Sequence, residues 1–334
     1  MKLLTIAAAL AASLCLAPSA ALAQKVIKYA HFQPARDDQP KHRAALAFKA
    51  YVEKHSNGEL KVQIYPAGQF GKDAETMEGL KLGTLEMGVV HDGAIAGVFK
   101  PINLLGIPYL YESHEHAWRV YDSKFGQDLA NLMTQTTGIR MLALADNGVR
   151  HFTNSLRPIV SPADMKGMKI RIQPSPVFKS LVESLGASAS AIPWADLPAA
   201  LQSKVVDGQE NGVTNILAAS LYQYQKYATL DGHVWSVHAY LINDKFFQGL
   251  TPAQQKIVLD ATRIARDIHR KMTADQDLAA KDILTKVGMT VQTLTPAQIG
   301  EFRKLAQPPV TEFVIKEVGK DWVDRLFAAI KETR

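Results

Sequence analysis

The sequence predicts an α/β protein of two lobes that share a long helix, and three patterns support that prediction. Strand and helix periodicities alternate through residues 26–90. The alternation restarts after Asn147-Gly148, which suggests a second lobe. From Thr251 a helical pattern continues to about Val287, where Gly288 ends it. Because successive βα units build parallel sheets with helices on both faces, we expect a mostly parallel sheet.

The first 23 residues have the composition of a cleavable export signal. Lys2 precedes an apolar run over 3–16, and Ala21-Leu22-Ala23 is typical of an A-x-A cleavage site. The run is shorter than the ~20 residues that span a bilayer, which disfavours a retained anchor. Cys15, the only cysteine, lies in this segment, so we expect neither disulfides nor thiolate metal sites in the mature chain. We therefore predict an exported protein that is cleaved after Ala23.

The elements of the first lobe follow from hydrophobic periodicity and from local stop signals. Alternating side chains predict strands at 26–32, 60–65, 85–90 and 139–145. Helical spacing predicts helices at 40–55, 73–82 and 114–136. Asn57-Gly58 ends the first of these helices, and Asp73 is a candidate cap for the second. Polar loops follow the carboxyl ends of the strands, where open α/β sheets bind their ligands.

The second half of the chain repeats the alternation and then becomes helical. Strands are predicted at 149–153, 168–172 and 234–242, helices at 177–185, 195–206 and 213–222, and an amide-rich turn at 205–212. Thr251-Pro-Ala-Gln254 combines a Thr cap, a first-turn Pro and a Gln in the third position, and Thr295-Pro-Ala-Gln298 repeats that start signal. At 1.5 Å per residue the helix from Thr251 would be ~55 Å long, enough to brace two lobes.

Charge excludes some partners and singles out one residue. The chain carries a net charge of +6 without a run of Lys and Arg among aromatic residues, which disfavours nucleic-acid binding and is compatible with anionic ligands. Arg171 lies inside the apolar strand at 168–172. A buried guanidinium is costly unless an anion pairs with it. That anion is either a neighbouring acid, such as Asp164 or Glu183, or a captured organic anion.

Three segments carry a resemblance to a known family. They are Ile64-Tyr-Pro-Ala-Gly-Gln-Phe-Gly71, Asp164-Met-Lys-Gly-Met-Lys-Ile-Arg171 and Val206-Asp-Gly-Gln-Glu-Asn211. In their order and spacing they resemble the extracytoplasmic solute-binding proteins of TRAP transporters, the DctP family, over essentially the whole mature chain. The resemblance implies a two-lobe, periplasmic-binding-protein-like fold with mixed sheets, flanking helices and a long lobe-spanning C-terminal helix. With a crossing near Asn147, where the alternation restarts, we expect residues 24–147 with about 236–275 to form lobe I, and 148–235 with about 276–334 to form lobe II.

The same resemblance implies a function and partners. A small organic anion would be captured in the cleft between the lobes of a periplasmic monomer and delivered to the small and large permease subunits. No cofactor, metal or nucleic acid is implied. C4-dicarboxylates, sugar acids and isethionate-like sulfonates all suit an arginine-lined cleft. A binding protein that feeds a sensor kinase would share the fold, and an exported hydrolase is the alternative from another class.

The resemblance also assigns roles to residues. Arg171 would clamp the ligand carboxylate with two parallel hydrogen bonds, and Arg150 and Asn211 would assist. An ion pair for Arg150 and turn capping for Asn211 are the structural alternatives. Candidates of lesser weight, each with an ordinary loop or core role as its alternative, are His31, Gln33, Arg36, Asp92, Gln173 and Trp194. Arg36 in the cleft would favour a dianion or a sulfonate.

Enzyme motifs are largely missing from the sequence. There is no G-x-S-x-G, no phosphate-binding glycine loop and no H-E-x-x-H. His114-Glu-His116 is predicted to be a solvated helix start, since residues two apart on a helix face different ways and no third metal ligand is suitably spaced. We therefore predict a binding protein without a catalytic step.

Overall fold

The computed structural model describes residues 24–334, so the predicted export signal and its cleavage site lie outside the described residues. One sheet organises the molecule, in the order β2-β1-β3-β8-β4-β7-β5-β6 with β9 beside β8. The strands are β1 Lys25–His31, β2 Leu60–Tyr65, β3 Met87–His91, β4 Ile139–Asn154, β5 Lys169–Ile172, β6 Ser188–Ala191, β7 Gly208–Gly212, β8 Tyr227–Asn243 and β9 Thr290–Thr293.

The sheet is mixed, and the expectation of a mostly parallel sheet was wrong at its centre. β1 pairs in parallel with β2 and β3, and β5 pairs in parallel with β6 and β7. Between these groups, β8 is antiparallel to β3 and β4, and β4 is antiparallel to β7. The long strands β4 and β8 thus run from one lobe into the other. Local periodicity could not reveal this, because the two strands lie far apart in the chain.

Helices cover the sheet. They are α1 Pro40–His55, α2 Asp73–Leu82, α3 Asp92–Ile95, α4 His114–Asp122, α5 Lys124–Thr137, α6 Pro176–Ser184, α7 Leu197–Gln202, α8 Val213–Ala218, α9 Asp244–Gln248, α10 Pro252–Leu278, α11 Ala280–Lys286, α12 Pro296–Val318 and α13 Lys320–Glu332. Short 3-10 helices occupy Lys100–Gly106, Pro162–Met165, Trp194–Asp196 and Leu221–Gln223. Within residues 24–334, none of the helices combines the length and the apolar character needed to cross a membrane.

The long C-terminal helix is confirmed, together with its start signal. Thr251 accepts a hydrogen bond from the backbone of Gln254, whose side chain bonds back to the Thr251 N–H, and the pair Thr295 and Gln298 caps α12 in the same way. α10 packs against α1, β4 and α8. It ends at Leu278, and a break at Ala279 separates it from α11. The lobe boundaries proposed from the sequence stay a prediction.

Four local predictions need correction. The amide-rich segment 208–212 is the strand β7, because it is hydrogen-bonded to β4 on one side and β5 on the other. The predicted helix at 114–136 is two helices, α4 and α5, that meet at Ser123. The predicted helix at 195–206 shortens to α7. Asp73 is the first residue of α2 and makes no capping bond, since its side chain accepts a hydrogen bond from His91.

Apolar cores fix the sheet under the site. On one side Phe48 and Val52 of α1 and Val258 and Ala261 of α10 cover β1 and β2. A separate cluster joins α7, α8 and α11 through Leu201, Val213, Ile216 and Leu284. These cores leave polar side chains at the ends of β1 and β3 facing β4, β5 and β7.

Candidate ligand-binding site

A small polar cavity lies where the ends of β1 and β3 meet β4, β5 and β7. Its volume is about 20 Å³, roughly the room that one water molecule needs. The lining residues are Phe32, Gln33, His91, Asn147, Arg150, Arg171, Gln173, Trp194, Asn211, Asn215 and His238. Every lining side chain except Phe32 can form hydrogen bonds, since the Trp194 indole N–H is a donor. We call it the polar cavity.

Arg171 is a buried cation without a carboxylate contact within the part of the chain that the structure describes. Its side chain is 1 % exposed in the middle of β5. Nε donates to the carbonyl of Ile192 at 2.8 Å. Within residues 24–334, no carboxylate oxygen lies within 4.0 Å of a guanidinium nitrogen of Arg171. Burial lowers the pKa of Arg171 to about 10, so the group is charged at neutral pH.

The two acids considered as structural partners of Arg171 are engaged elsewhere. Asp164 accepts hydrogen bonds from the Ser161 hydroxyl and backbone at 3.0 and 2.8 Å. Glu183 pairs with Lys179, one turn away on α6, at 2.6 Å. An internal salt bridge therefore does not explain why the strand carries an arginine.

Arg150, in contrast, has a carboxylate partner. It lies on β4, opposite β7, and its Nε donates to the carboxylate of Glu210, whose second oxygen accepts from Nη2 at 2.9 Å. Nη2 also donates to the Glu210 carbonyl at 2.6 Å. Nη1 is buried and has no hydrogen-bond partner among residues 24–334. Arg150, which lines the polar cavity, thus forms the structural ion pair that was the alternative to ligand binding, and both N–H bonds of Nη1 stay unpaired within residues 24–334.

A second layer of charge lies behind Glu210. His233 places Nδ1 2.9 Å from Asp231 Oδ2 and Nε2 3.4 Å from Glu210 Oε2. Burial disfavours the charged imidazole, but Asp231 and Glu210 outweigh it and raise the pKa of His233 to about 9. Two cations, Arg150 and His233, thereby balance two carboxylates. Arg171 has no comparable contact with a carboxylate within residues 24–334.

Amide side chains connect the two lobes beside the arginines. Asn215 of α8 donates to Asn211 Oδ1 at 2.9 Å and to Asn147 Oδ1 at 2.8 Å. Its own Oδ1 accepts from Gln33 Nε2 at 3.0 Å and from the buried Lys41 ammonium at 3.2 Å. Amides both donate and accept, so this network can re-pair with a ligand hydroxyl, carbonyl or carboxylate group.

The structure brings six of the nine predicted site residues to the polar cavity. They are Arg171, Arg150, Asn211, Gln33, Gln173 and Trp194. His31 is buried beside it, with Nε2 3.1 Å from His42 Nδ1. Asp92 is also buried behind the lining and accepts from Gln173 Nε2 at 2.6 Å. It therefore holds a lining residue in place.

The structure does not bring Arg36 to the polar cavity. Its side chain is 46 % exposed and its Nε lies 3.1 Å from Asp38 Oδ1 on the same surface loop. Arg36 is therefore a solvent-exposed loop residue, which was the alternative to a binding role. Because Arg36 does not line the polar cavity, it no longer supports a preference for a dianion or a sulfonate.

Five lining residues were not among the predicted ones. Phe32 and His91 adjoin predicted loops at strand ends, and Asn147 lies in the segment where the lobes were predicted to meet. The sequence positions of these three residues therefore indicated that they could lie near the site. Asn215 and His238 stand within an apolar helix and an apolar strand. Only the sheet order, which pairs residues far apart in the chain, brings them to the cavity.

The His114-Glu-His116 segment is buried, so the prediction of a solvated helix start was wrong. His116 Nε2 lies 3.0 Å from the Ile330 carbonyl of α13, and His114 Nε2 lies 3.6 Å from Asp277 of α10. Helices from the C-terminal third cover this end of α4, which local sequence could not show. Residues 24–334 hold no group of three His, Cys, Asp or Glu side chains arranged for a metal ion.

Residues 30–317 match the sequence profile of the DctP family, described as bacterial extracellular solute-binding protein, family 7. The chain belongs to the DctP family. Among curated relatives, the Escherichia coli 2,3-diketo-L-gulonate-binding periplasmic protein YiaO is 29 % identical over 95 % of this chain and 96 % of its own. The resemblance inferred from the three segments is confirmed.

Solved structures agree with this membership. A TRAP periplasmic solute-binding protein from Bordetella bronchispeptica, with density interpreted as pantoate, has a TM-score of 0.85 at 30 % identity, covering 92 % of this chain and 99 % of that one. The sugar acid binding protein DctPAm from Advenella mimigardefordensis, in complex with galactonate, has a TM-score of 0.88 at 27 % identity, covering 93 % and 99 %. The two-lobe DctP fold is confirmed, and the family and its structural neighbours are binding proteins and not enzymes.

Proposed function

We propose that this DctP-family protein captures a small organic carboxylate between its lobes in the periplasm and delivers it to a TRAP permease. The observation that carries the proposal is Arg171, a buried cation without an internal carboxylate. Leaving a charge unpaired in the interior is unfavourable, so the position is best explained by an anion from outside the chain.

The carboxylate would meet a prepared set of donors. The guanidinium of Arg171 offers two parallel N–H groups in the geometry of a carboxylate, and Nη1 of Arg150 is the one donor of that side chain that Glu210 leaves free. Asn211 and Asn215 exchange hydrogen bonds beside them and can turn toward the ligand. Arg171 is the clamp in this proposal, and Arg150 and Asn211 assist.

Closure of the lobes would complete capture. Gln173 of lobe II donates to Asp92 of lobe I, and Gln33 of lobe I donates to Asn215 of lobe II. Because Arg171 is almost fully buried, a ligand can reach it only if these contacts first separate. A ligand that touches both lobes then shifts the population toward the closed state.

The related proteins favour a carboxylate over a sulfonate. YiaO is named for 2,3-diketo-L-gulonate, DctPAm was solved with galactonate, and the Bordetella protein has density interpreted as pantoate. All three compounds are carboxylates. We further propose that residues 1–23 are a cleaved export signal and that small and large permease subunits receive the ligand.

Calorimetric titration of residues 24–334 with organic carboxylates and isethionate tests the proposal. A charge-assisted hydrogen bond contributes about 1.5–3 kcal/mol, so Arg171→Ala is expected to lower affinity for the bound acid roughly 10- to 100-fold. Arg36→Ala removes an arginine outside the cavity and serves as the matched control, with affinity unchanged within about twofold. Parental affinity in Arg171→Ala would overturn the clamp assignment, and a preference for isethionate would overturn the carboxylate assignment.

A further inference from the structure

A second cavity adjoins the polar cavity and has a different chemical character. The two share Phe32 and Trp194, which line both. The second cavity has a volume of about 300 Å³, at the lower end of the ~300–1,000 Å³ found for small-molecule pockets. We call it the distal cavity. Its other apolar lining includes Pro34, Ala67, Pro193, Pro198, Ala218 and Ala219.

The two cavities differ in volume, and this difference determines which part of a ligand each can hold. The polar cavity, at about 20 Å³, has room for little more than one water molecule, so a whole ligand does not fit within it. Because Phe32 and Trp194 line both cavities, the distal cavity is the adjoining space for the remainder of a ligand whose carboxylate reaches Arg171. The chemistry of that cavity therefore selects the tail.

The charges around the distal cavity disfavour a second anion. Its one lining cation is Lys72, whose ammonium group already bonds both carboxylate oxygens of Asp196, at 3.2 and 3.0 Å. Its lining carboxylate is Asp73, which accepts from His91 Nε2 at 3.2 Å. Burial favours the neutral acid, but His91 and Arg171 outweigh it and lower the pKa of Asp73, so the group is negative at neutral pH.

The apolar lining also disfavours a tail rich in hydroxyl groups. Transfer of a hydroxyl group from water into an apolar site without a hydrogen-bond partner is unfavourable. Proline and alanine side chains in this lining offer no hydrogen bonds. An alkyl or aryl tail, in contrast, gains from leaving water.

We propose that the ligand of this protein is a monocarboxylate with a neutral, mainly apolar tail, whose head binds Arg171 and whose tail fills the distal cavity. The proposal rests on the function proposed above and narrows its substrate class. In this proposal Asp73 selects against a second negative charge, and the apolar lining selects against hydroxyl groups.

Three probes with distinct tails test the tail preference by calorimetric titration of residues 24–334. 4-Methyl-2-oxopentanoate has a branched alkyl tail, 2-oxoglutarate has the same 2-oxo acid head with a carboxylate tail, and D-gluconate has a hydroxylated tail. We expect the first to bind at least tenfold more tightly than either of the others. Equal or tighter binding of 2-oxoglutarate or gluconate overturns this inference and leaves the proposed function standing. Binding of none of the three, nor of any other carboxylate, overturns both.

Two variants locate the preference in the distal cavity. Ala218→Phe fills it and is expected to weaken 4-methyl-2-oxopentanoate at least tenfold while changing pyruvate, which has a single methyl tail, by less than twofold. Leu82→Phe, on an exposed position of α2, is the matched control with no effect. Asp73→Asn removes the lining charge and is expected to strengthen 2-oxoglutarate at least fivefold. Unchanged affinities in both cavity variants, or an equal loss of all acids in Ala218→Phe, would contradict the assignment.

Discussion

Arg150 and Arg171 stand on strands separated only by β7, and each is 1 % exposed, yet their surroundings differ in one respect. Glu210 of β7 neutralises Arg150 through its carboxylate, whereas residues 24–334 provide no carboxylate contact for Arg171. The comparison teaches that burial of an arginine does not by itself indicate a binding site. What separates a structural cation from a ligand clamp is whether the chain supplies its counter-ion.

The largest effect on the free energy of unfolding is expected at Arg150, the arginine that has a carboxylate partner. Glu210→Gln keeps the shape of the side chain but leaves Arg150 and His233 without a carboxylate between them. Breaking a buried ion pair by removing one partner destabilises by about 3–5 kcal/mol. We expect a loss of that order in the free energy of unfolding measured with denaturant. Glu183→Gln, which removes an exposed pair with Lys179, is the control and should change it by less than ~0.5 kcal/mol.

The pH dependence of stability gives a second test of the charged groups around Arg150. The folded pKa of His233, about 9, lies above its unfolded value of roughly 6.5, so its contribution is complete below pH 6.5 and disappears as the pH rises through 9. The shift corresponds to roughly 3 kcal/mol. We expect the difference in unfolding free energy between the parent and His233→Gln to be largest at pH 6 and to shrink toward pH 9.5. A difference that is constant over this range would contradict a protonated His233 between Asp231 and Glu210.

A smaller effect is expected at the edge of the distal cavity. Lys72, which lines that cavity, forms an exposed ion pair with Asp196, 3.0 Å away. Exposed pairs contribute about 0.2–1 kcal/mol, so Lys72→Ala should weaken ligand binding by at most about fivefold, and less at high salt. Lys179→Ala, which breaks an exposed pair within α6 alone, should leave affinity unchanged. A larger or salt-independent effect would mean that Lys72 contacts the ligand directly.

Sequence alone predicted what local chemistry determines. The helices at 40–55 and 73–82 and the strand at 60–65 have the predicted bounds, because their periodicity and stop signals are local. The capping boxes at Thr251 and Thr295 formed as predicted for the same reason. Arg171 was recognisable as the candidate clamp, because a guanidinium in an apolar strand needs an anion wherever the strand lies.

The order of the strands in the sheet could not be predicted. Glu210 reaches Arg150 only because the segment 208–212 is a strand beside β4, whereas its amides and acid suggested a turn. Asn215 and His238 enter the polar cavity through the same sheet order. Arg36 is the opposite case, since its position after the first strand suggested the cleft, but its loop turns to the surface and pairs it with Asp38.

The most direct measurement of the central claim is the unfolding free energy of Arg171→Met, with and without the acid that binds the parent most tightly. Because the arginine has no internal carboxylate to lose, we expect stability without ligand to fall by no more than about 1 kcal/mol. Ligand at 100 times its parental dissociation constant should stabilise the parent by ~2.7 kcal/mol and the variant by only about 0.4–1.4 kcal/mol. A variant destabilised as strongly as Glu210→Gln that keeps the full gain from ligand would contradict the account, since Arg171 would then be structural.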